Sequence, residues 1–363
     1  MSRRWLHGLL AKAVLAVAVS GGLVPTALAA ETVTEWLLHK SADGAHPDGR
    51  EQQYLWRMNR ARHDPTAEGQ FLVAIEDPLI RSRLSGFQVN LSLLHTEFAA
   101  IPPTPPAAFD ARLYEAALAH SLDMIARDRQ DHAGQAGRVS TAGFCTRQHR
   151  GNAYAFSEFA LEGHAAFNVD WGGGDGSGMQ PKRPHRQAIM SVDANLTNVG
   201  VAVVPETNRR SNVGPFVVTG NYEQADEDCD DHYNRFLVGT VWTDLDDNGH
   251  YDEDEGIEGV TVLPSRGPYF AVTAAGGGYA IPVLSAGALS VRFDGAGVPP
   301  HTRSVSVGAA SVLVDYLVTG SITGVAVPEP AAAAQTLAAG SALAALARSK
   351  RARRREGRRR PDR

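Results

Sequence analysis

Residues 244–255 form an acidic loop with the clearest chemistry in this chain of 363 residues. They fit D-x-[DN]-x-[DN]-G-x5-E over its full length, a pattern typical of a loop that binds calcium. Calcium takes about six to eight oxygen ligands at about 2.4 Å. The expected ligands are Asp244, Asp246, Asn248, His250, Asp252 and Glu255. His250 would bind through its backbone carbonyl and the others through side-chain oxygens, with Asp252 acting through a water molecule. Gly249 permits the sharp turn.

The charge of the acidic loop also favours a cation. Seven of its residues are Asp or Glu, and no Lys or Arg lies between Arg235 and Arg266. Because like charges at this density repel one another, a bound cation would allow the loop to compact. The alternative interpretation is a solvated acidic loop that matches the pattern by chance.

Strands, rather than helices, are expected to hold the acidic loop. Residues 238–242 and 259–262 flank it and have the composition of strands, which argues against a helix-loop-helix calcium sensor. Short strands separated by Gly and Pro turns continue to the end of this region, which predicts a small all-β sandwich. The predicted strands are residues 236–243, 260–263, 269–274, 278–283, 288–293 and 311–317.

The region from 236 to 318 resembles the SdrD B-like repeats of bacterial surface proteins. The resemblance lies in the pattern VWxDxDxNGxxDxxExGIxGVxV, which includes the acidic loop. It implies a calcium-stabilised β-sandwich that serves as a stalk or spacer.

The region before the β-sandwich predicts helices and two strands. Apolar residues recur at helical spacing over 51–62 and over 112–127, and Asp110 is an N-cap candidate for the second of these helices. His120 lies on the apolar face of that helix, and we interpret it as a hydrogen-bonded core histidine. A further helix is predicted over 154–169, and strands are predicted over 198–204 and 216–222.

Six segments of this region resemble, in order, the motifs of the CAP (SCP-like) domain. They are residues 54–62 (YLWRMNRAR), 119–124 (AHSLDM), 131–132 (DH), 157–160 (SEFA), 184–190 (PHRQAIM) and 198–203 (NVGVAV). The resemblance implies a three-layer α-β-α sandwich with a cleft lined by His132, Glu158 and His185. Two imidazoles and a carboxylate suit zinc or a similar divalent ion. Members of the family bind lipids or sterols, and a few are proteases.

Three positions depart from the family pattern. Ser157, Phe159 and Pro184 stand where the family has Gly, Asn and Gly. A fourth cleft ligand is not identified, and Asp175, Glu162 and His164 remain candidates for it.

The two ends of the chain predict export. Residues 1–30 combine Arg3 and Arg4, an apolar run and a small-residue cleavage site, which is typical of a secretory signal peptide. At the other end, Pro328, Glu329 and Pro330 precede the apolar residues 331–347 and an arginine-rich tail. A helix of that length would reach about 25 Å, marginal for a hydrocarbon core of about 30 Å.

This tail resembles the PEP-CTERM sorting signal. The resemblance implies an exosortase that reads the tripeptide Pro328, Glu329 and Pro330 and removes the tail, after transient anchoring by its apolar helix. The alternative is a flexible Ala-rich tail with a basic patch.

The net charge of the chain without its two ends limits the partners that it can bind. The signal holds three basic residues and the tail holds ten basic and three acidic ones, so the remainder has 22 basic and 37 acidic residues, a net charge of −15. Such a surface repels phosphate backbones, which argues against a nucleic-acid partner.

Export permits a disulfide between Cys145 and Cys229, although sequence leaves open whether the two meet.

Together these patterns predict an α+β protein. The expected order is a signal peptide (1–30), a polar lead-in (31–50), a CAP-like domain (51–225), an acidic linker (226–235), the β-sandwich (236–318), and a linker with the sorting tail (319–363).

The predicted function is that of a non-enzymatic protein of the cell surface or extracellular matrix. Its expected partners are the secretion machinery, an exosortase-like enzyme, and an extracellular polysaccharide, lipid or peptide ligand. Two alternatives are a metal-dependent extracellular hydrolase of peptide or glycan and a purely structural matrix component.

Overall fold

The computed structural model describes residues 33–319, in which most helices precede most strands. The helices are α1 (Gly49–His63), α2 (Pro65–Ala74), α3 (Pro78–Gly86), α4 (Leu91–Ala99), α5 (Ala111–Arg127), α6 (Gln135–Thr141), α7 (Ala160–Ala165) and α8 (Pro184–Ile189), with a 3-10 turn at Leu37–His39 and a π-helical segment at Ala166–Asp170. The first five strands are β1 (Thr34–Glu35), β2 (Ala108–Phe109), β3 (Thr146–Ser157), β4 (Asn198–Pro205) and β5 (Phe216–Ala225). The later strands are β6 (Phe236–Trp242), β7 (Thr261–Pro264), β8 (Tyr269–Val272), β9 (Gly278–Pro282), β10 (Gly287–Asp294), β11 (His301–Val307), β12 (Val312–Leu313) and β13 (Tyr316–Leu317).

Helices pack on both faces of the first sheet. Its strand order is β2-β4-β5-β3, with β2 parallel to β4 and the other pairs antiparallel. Thr219 on β5 bonds Ser121 of α5, with 2.8 Å between the hydroxyl oxygens. Tyr222, on the same strand, belongs instead to the apolar cluster that contains Tyr54 and Met58 of α1. The described residues are therefore α+β, and this sheet lies between α1 and α5.

Side-chain caps decide where several helices begin. Asp48 and Glu51 form a capping box at α1, in which each carboxylate accepts from the other residue's backbone N–H. Asp64 and Asp77 accept from the first turns of α2 and α3, both of which start at proline. Asp110 caps α5 as its position predicted.

Strands β6 to β13, together with β1, form a β-sandwich. One sheet has the order β1-β8-β7-β10-β11, and the other has β6 between β12 and β13, with β9 also paired to β6. Leu237, Val262, Val291 and Phe293 are buried in the core that the two sheets share. The acidic loop connects β6 to β7, so strands flank it as expected.

The predicted polar lead-in, residues 31–50, is tied into the β-sandwich where the structure describes it. β1 pairs with β8 in parallel. Trp36 then packs edge-on against Tyr233 and Tyr269, with ring centroids 5.4 and 5.1 Å away. This segment therefore crosses from the sandwich to the start of α1.

One expectation about secondary structure was wrong, and some strands were missed. Residues 154–157, predicted as the start of a helix, continue β3, because β5 offers a pairing edge along their length. The sequence also did not predict β11, whose outward residues are exposed and polar, so it lacks a strong apolar alternation.

The structure joins Cys145 and Cys229 in a disulfide. The bond connects the residue before β3 to the segment after β5. The signal peptide and the motif Pro328, Glu329 and Pro330 lie outside the described residues. Among residues 33–319, no helix has the length and apolar character needed to span a membrane.

Candidate metal centres

Three carboxylates of the acidic loop converge on one point. Ligand oxygens of Asp244, Asp246 and Glu255 all lie within 4.8 Å of one another. Oxygens around one calcium ion, each about 2.4 Å from it, cannot be farther apart than about that distance. This donor set therefore has the dimensions and the chemistry that suit a hard divalent cation.

Backbone N–H groups fold the acidic loop around Asp244. Asn248 and Gly249 donate their backbone N–H groups to the two carboxylate oxygens of Asp244, at 3.0 and 2.8 Å. Gly249 has φ +74°, a left-handed conformation that a residue without Cβ adopts at little cost. A Cβ at Gly249 would meet no atom within 4 Å, so backbone conformation rather than space explains this glycine.

Glu255 supplies the buried end of the centre. Its side chain is 3% exposed and accepts hydrogen bonds from the backbone N–H groups of Leu245 and Asp252, at 2.7 and 2.8 Å. Burial raises the pKa of Glu255, and the nearby carboxylates of Asp252 and Asp244 act in the same direction. A cation at this position would offset both effects, because it favours the ionised carboxylate.

The other predicted ligands have different partners in this structure. The Asn248 amide donates to Asp246 and Asp252, each at 2.9 Å, while its oxygen accepts from the backbone N–H of His250. The His250 ring packs against Trp56. The carboxylates of Asp244, Asp246 and Glu255 therefore converge, and Asn248 and Asp252 are joined to them by hydrogen bonds to Asp246 and Glu255.

His132 and His185, predicted for the CAP-like cleft, are brought together. Their rings stack with centroids 6.2 Å apart and planes 25° apart. His132 Nδ1 lies 2.7 Å from the Gln135 side-chain oxygen. The Gln135 amide nitrogen donates elsewhere, to Asn221 among others, so His132 carries its proton on Nδ1.

Asp170 orients the second imidazole. Its carboxylate lies 2.7 Å from His185 Nδ1 and also accepts the backbone N–H of His185 at 2.8 Å. The structure thus engages Nδ1 of both histidines and leaves Nε2 as the atom for a ligand. Nothing in the local sequence distinguished Asp170, which stands at the end of a π-helical segment.

Glu158 does not join the histidine pair. Its side chain is exposed, whereas the neighbouring Glu162 is fully buried and accepts from the Tyr154 hydroxyl at 2.8 Å. Burial raises the pKa of Glu162. The other candidates for a fourth ligand have their own partners: His164 bonds Glu68, and Asp175 pairs with Arg183.

The histidine pair therefore falls short of a zinc centre. Across residues 33–319, no third His, Cys, Asp or Glu joins His132 and His185 in a ligand group within 4.8 Å. A catalytic zinc ion usually has about three protein ligands. We derive no chemistry through a metal at this pair.

A further group, His46, Asp48 and Glu51, brings its ligand atoms within the same limit. Glu51 is buried and accepts from the backbone N–H of Asp48, while its carboxylate lies 2.7 Å from His46 Nδ1. The hydrogen bond to Glu51 raises the pKa of His46, and burial raises that of Glu51. Because these groups satisfy one another and cap α1, we interpret them as structural. The spacing Asp48-x-x-Glu51 could have predicted this cap.

Comparison with known proteins adds only weak structural similarity. No protein-family model matches the chain, and no curated protein matches it. Among solved structures, the chain is similar to an extracellular protein containing a SCP domain from Bacillus anthracis str. Ames, with a TM-score of 0.25 and 13% sequence identity. The match covers 41% of this chain and 44% of that protein, so the chain spans less than half of its length. A likeness of this size assigns no activity.

Proposed function

We propose that this chain is an exported, non-enzymatic protein of the cell surface or extracellular matrix, with a CAP-type head and a calcium-stabilised β-sandwich. The convergence of Asp244, Asp246 and Glu255 within 4.8 Å carries the calcium part of the proposal. The disulfide between Cys145 and Cys229 supports export, because such bonds persist in oxidising compartments.

Thermal unfolding of the purified protein tests the calcium site. At calcium a hundredfold above Kd, binding to the folded state adds about 2.7 kcal/mol to the free energy of unfolding. For a chain of this size we expect Tm to rise by about 5–10 °C between EDTA and millimolar calcium. An unchanged Tm in both conditions would remove calcium from the proposal.

A pair of substitutions with the same charge change locates the site. Asp244→Asn removes a converging carboxylate and is expected to weaken calcium binding by about tenfold or more. Asp254→Asn alters an exposed carboxylate of the same loop, outside the converging group, and is expected to change Kd by less than about threefold. Isothermal titration measures both. Equal losses in the two variants would mean that the loop attracts calcium only through its overall charge.

The CAP-type head rests on two observations. The six motif segments occur in the expected order. The first sheet also has helices on both faces, and His132 and His185 stack beside it. We propose that this pair lines a ligand-binding cleft. His132→Ala and His185→Ala are expected to weaken binding in a screen against lipid vesicles, soluble polysaccharides and peptides, and unchanged binding in every assay would favour a purely structural matrix protein.

A second candidate function is an extracellular hydrolase of peptide or glycan, with His185 as the general base. The Asp170–His185 pair favours it, because a carboxylate that fixes an imidazole tautomer is also how a general base is oriented. Peptide or glycan hydrolysis that His185→Ala abolishes would establish this alternative over the binding protein.

The sorting of the protein is tested by its mature mass. We propose that residues 1–30 are removed at export and that an exosortase-like enzyme cleaves at Pro328, Glu329 and Pro330. Intact mass spectrometry of material from the cell surface is expected to show both ends removed. Recovery of the full-length chain from the cytoplasm would contradict export.

A further inference from the structure

The acidic loop lies directly against the first helix of the head. Its residues 250–253, here named the docking segment, contact α1 and α2. Gln53 of α1 is 8% exposed and donates to the Tyr251 carbonyl at 3.1 Å and to the Asp252 carboxylate at 2.5 Å. The guanidinium of Arg57, one turn later, lies 3.8 Å from the same carboxylate. The docking segment therefore meets the head through polar contacts with two buried side chains of α1.

Aromatic rings complete this contact. Trp56 of α1 packs edge-on against His250 and Trp242, with centroids 5.9 and 5.7 Å away. Phe71 of α2 lies 5.5 Å from the His250 ring. Tyr251 is fully buried and donates its hydroxyl to the Gly276 carbonyl at 2.9 Å. The docking segment is thus held between the head and the β-sandwich.

The backbone of α1 also approaches the docking segment closely. A Cβ added at Gly49, the first residue of α1, would lie 1.6 Å from the Glu253 carbonyl oxygen. A side chain at this position would therefore displace either the docking segment or α1.

Asp252 connects this contact to the candidate calcium centre. One of its oxygens accepts from Gln53, and the other accepts from the Asn248 amide at 2.9 Å. Its backbone N–H donates at 2.8 Å to Glu255, one of the three converging carboxylates. Two hydrogen bonds therefore separate the centre from α1.

We propose that the acidic loop is a calcium-dependent latch, in which cation binding and the docking of α1 on the β-sandwich stabilise each other. The inference rests on the proposed calcium binding. A cation that orders Glu255 also fixes Asp252 and the docking segment, and a docked α1 holds the loop in its cation-binding shape. Coupling of this kind is reciprocal, so a change in α1, which contributes no ligand, alters calcium affinity.

The test uses the full chain and calcium itself as the probe. Gln53→Met keeps the length and packing of the side chain but cannot donate to Asp252, and Gln53→Ala removes both. Each is expected to raise the Kd for calcium by about fivefold or more in isothermal titration. Gln70→Ala, an exposed glutamine on α2, is the matched control and is expected to leave Kd within about twofold.

Hydrogen exchange supplies an independent readout. Amide exchange across α1 is expected to slow by about fivefold or more when calcium is added to the wild type, and this response should disappear in Gln53→Met. Suppose that the wild type binds calcium, that both Gln53 variants have the wild-type Kd, and that calcium does not change amide exchange in α1. That result would refute the latch and leave the proposed calcium site intact. If the wild type binds no calcium, both fail.

Discussion

At the scale of single residues, burial decides the protonation state of a histidine that residue type alone does not fix. His39 is 1% exposed, and neither ring nitrogen has a hydrogen-bond partner among the described residues. It lines a cavity of about 20 Å³ between α1 and the β-sandwich, which is large enough for one water molecule. Burial lowers the pKa of His39 from 6.5 to about 3, with a smaller contribution from Lys40. The folded protein therefore holds this imidazole neutral.

We expect His39 to make the protein sensitive to acid. Between pH 6.5 and about 3, the unfolded chain takes up a proton that the folded chain excludes, so the free energy of unfolding falls as pH falls. His39→Leu should abolish this contribution. Between pH 7 and pH 4.5, the free energy of unfolding of this variant should fall by about 2 kcal/mol less than that of the wild type. Urea unfolding at the two pH values measures the difference.

The exposed His63, the last residue of α1, provides the control. His63→Leu makes the same substitution at an exposed position, so a difference between the two variants is assigned to the buried His39. Parallel curves for wild type and His39→Leu would show that His39 does not titrate on unfolding.

At the scale of elements, close backbone approach holds α5 on the first sheet. Gly200 of β4 faces the helix, and a Cβ there would lie 2.1 Å from the Leu113 carbonyl carbon and 2.2 Å from the Tyr114 nitrogen. Asn221 of β5 donates its amide to the Leu113 carbonyl at 3.2 Å. Because the obstructing atoms belong to the backbone, no change of side-chain rotamer could remove the clash that a larger residue would cause at this position.

Gly200→Ala is expected to separate α5 from β4 and lower the free energy of unfolding by about 2–3 kcal/mol. Gly137→Ala, in α6 with nothing within 4 Å of its Cβ, should raise it by roughly 0.5–1 kcal/mol, because alanine is the better helix former. Chemical denaturation of the two variants compares them. A neutral Gly200→Ala would mean that helix and sheet shift apart at little cost.

At the scale of the whole molecule, the disulfide places a long-range constraint on the described chain. Cys145 and Cys229 are separated by 84 residues, and the ring contains β3 to β5. In the chain-entropy model, a loop of that length stabilises the fold by about 4 kcal/mol, because it restricts the unfolded chain.

Replacing both cysteines by serine should lower the free energy of unfolding by about 2–4 kcal/mol. Urea denaturation measures the loss, and the wild type in reducing agent should match the double variant. If the double variant unfolds at the wild-type midpoint, the bond does not limit the unfolded chain.

Local sequence patterns by themselves determined much of this protein. The acidic loop, the N-cap at Asp110, the helix over 112–127 and the strands over 198–204 and 216–222 depend on neighbouring residues, so spacing alone predicted them. The structure also confirms His120 as a hydrogen-bonded core histidine, with Nε2 2.9 Å from the Asp131 carbonyl.

Only the tertiary structure decided which distant groups meet. It placed Asp170 rather than Glu158 beside His185, converted residues 154–157 from helix to strand, and added β1 to the β-sandwich. It also placed Gln53 on the acidic loop, nearly 200 residues away along the chain. The reason is that such contacts depend on how sheets pair and how helices pack. A local sequence pattern does not specify which distant residues will come into contact with it.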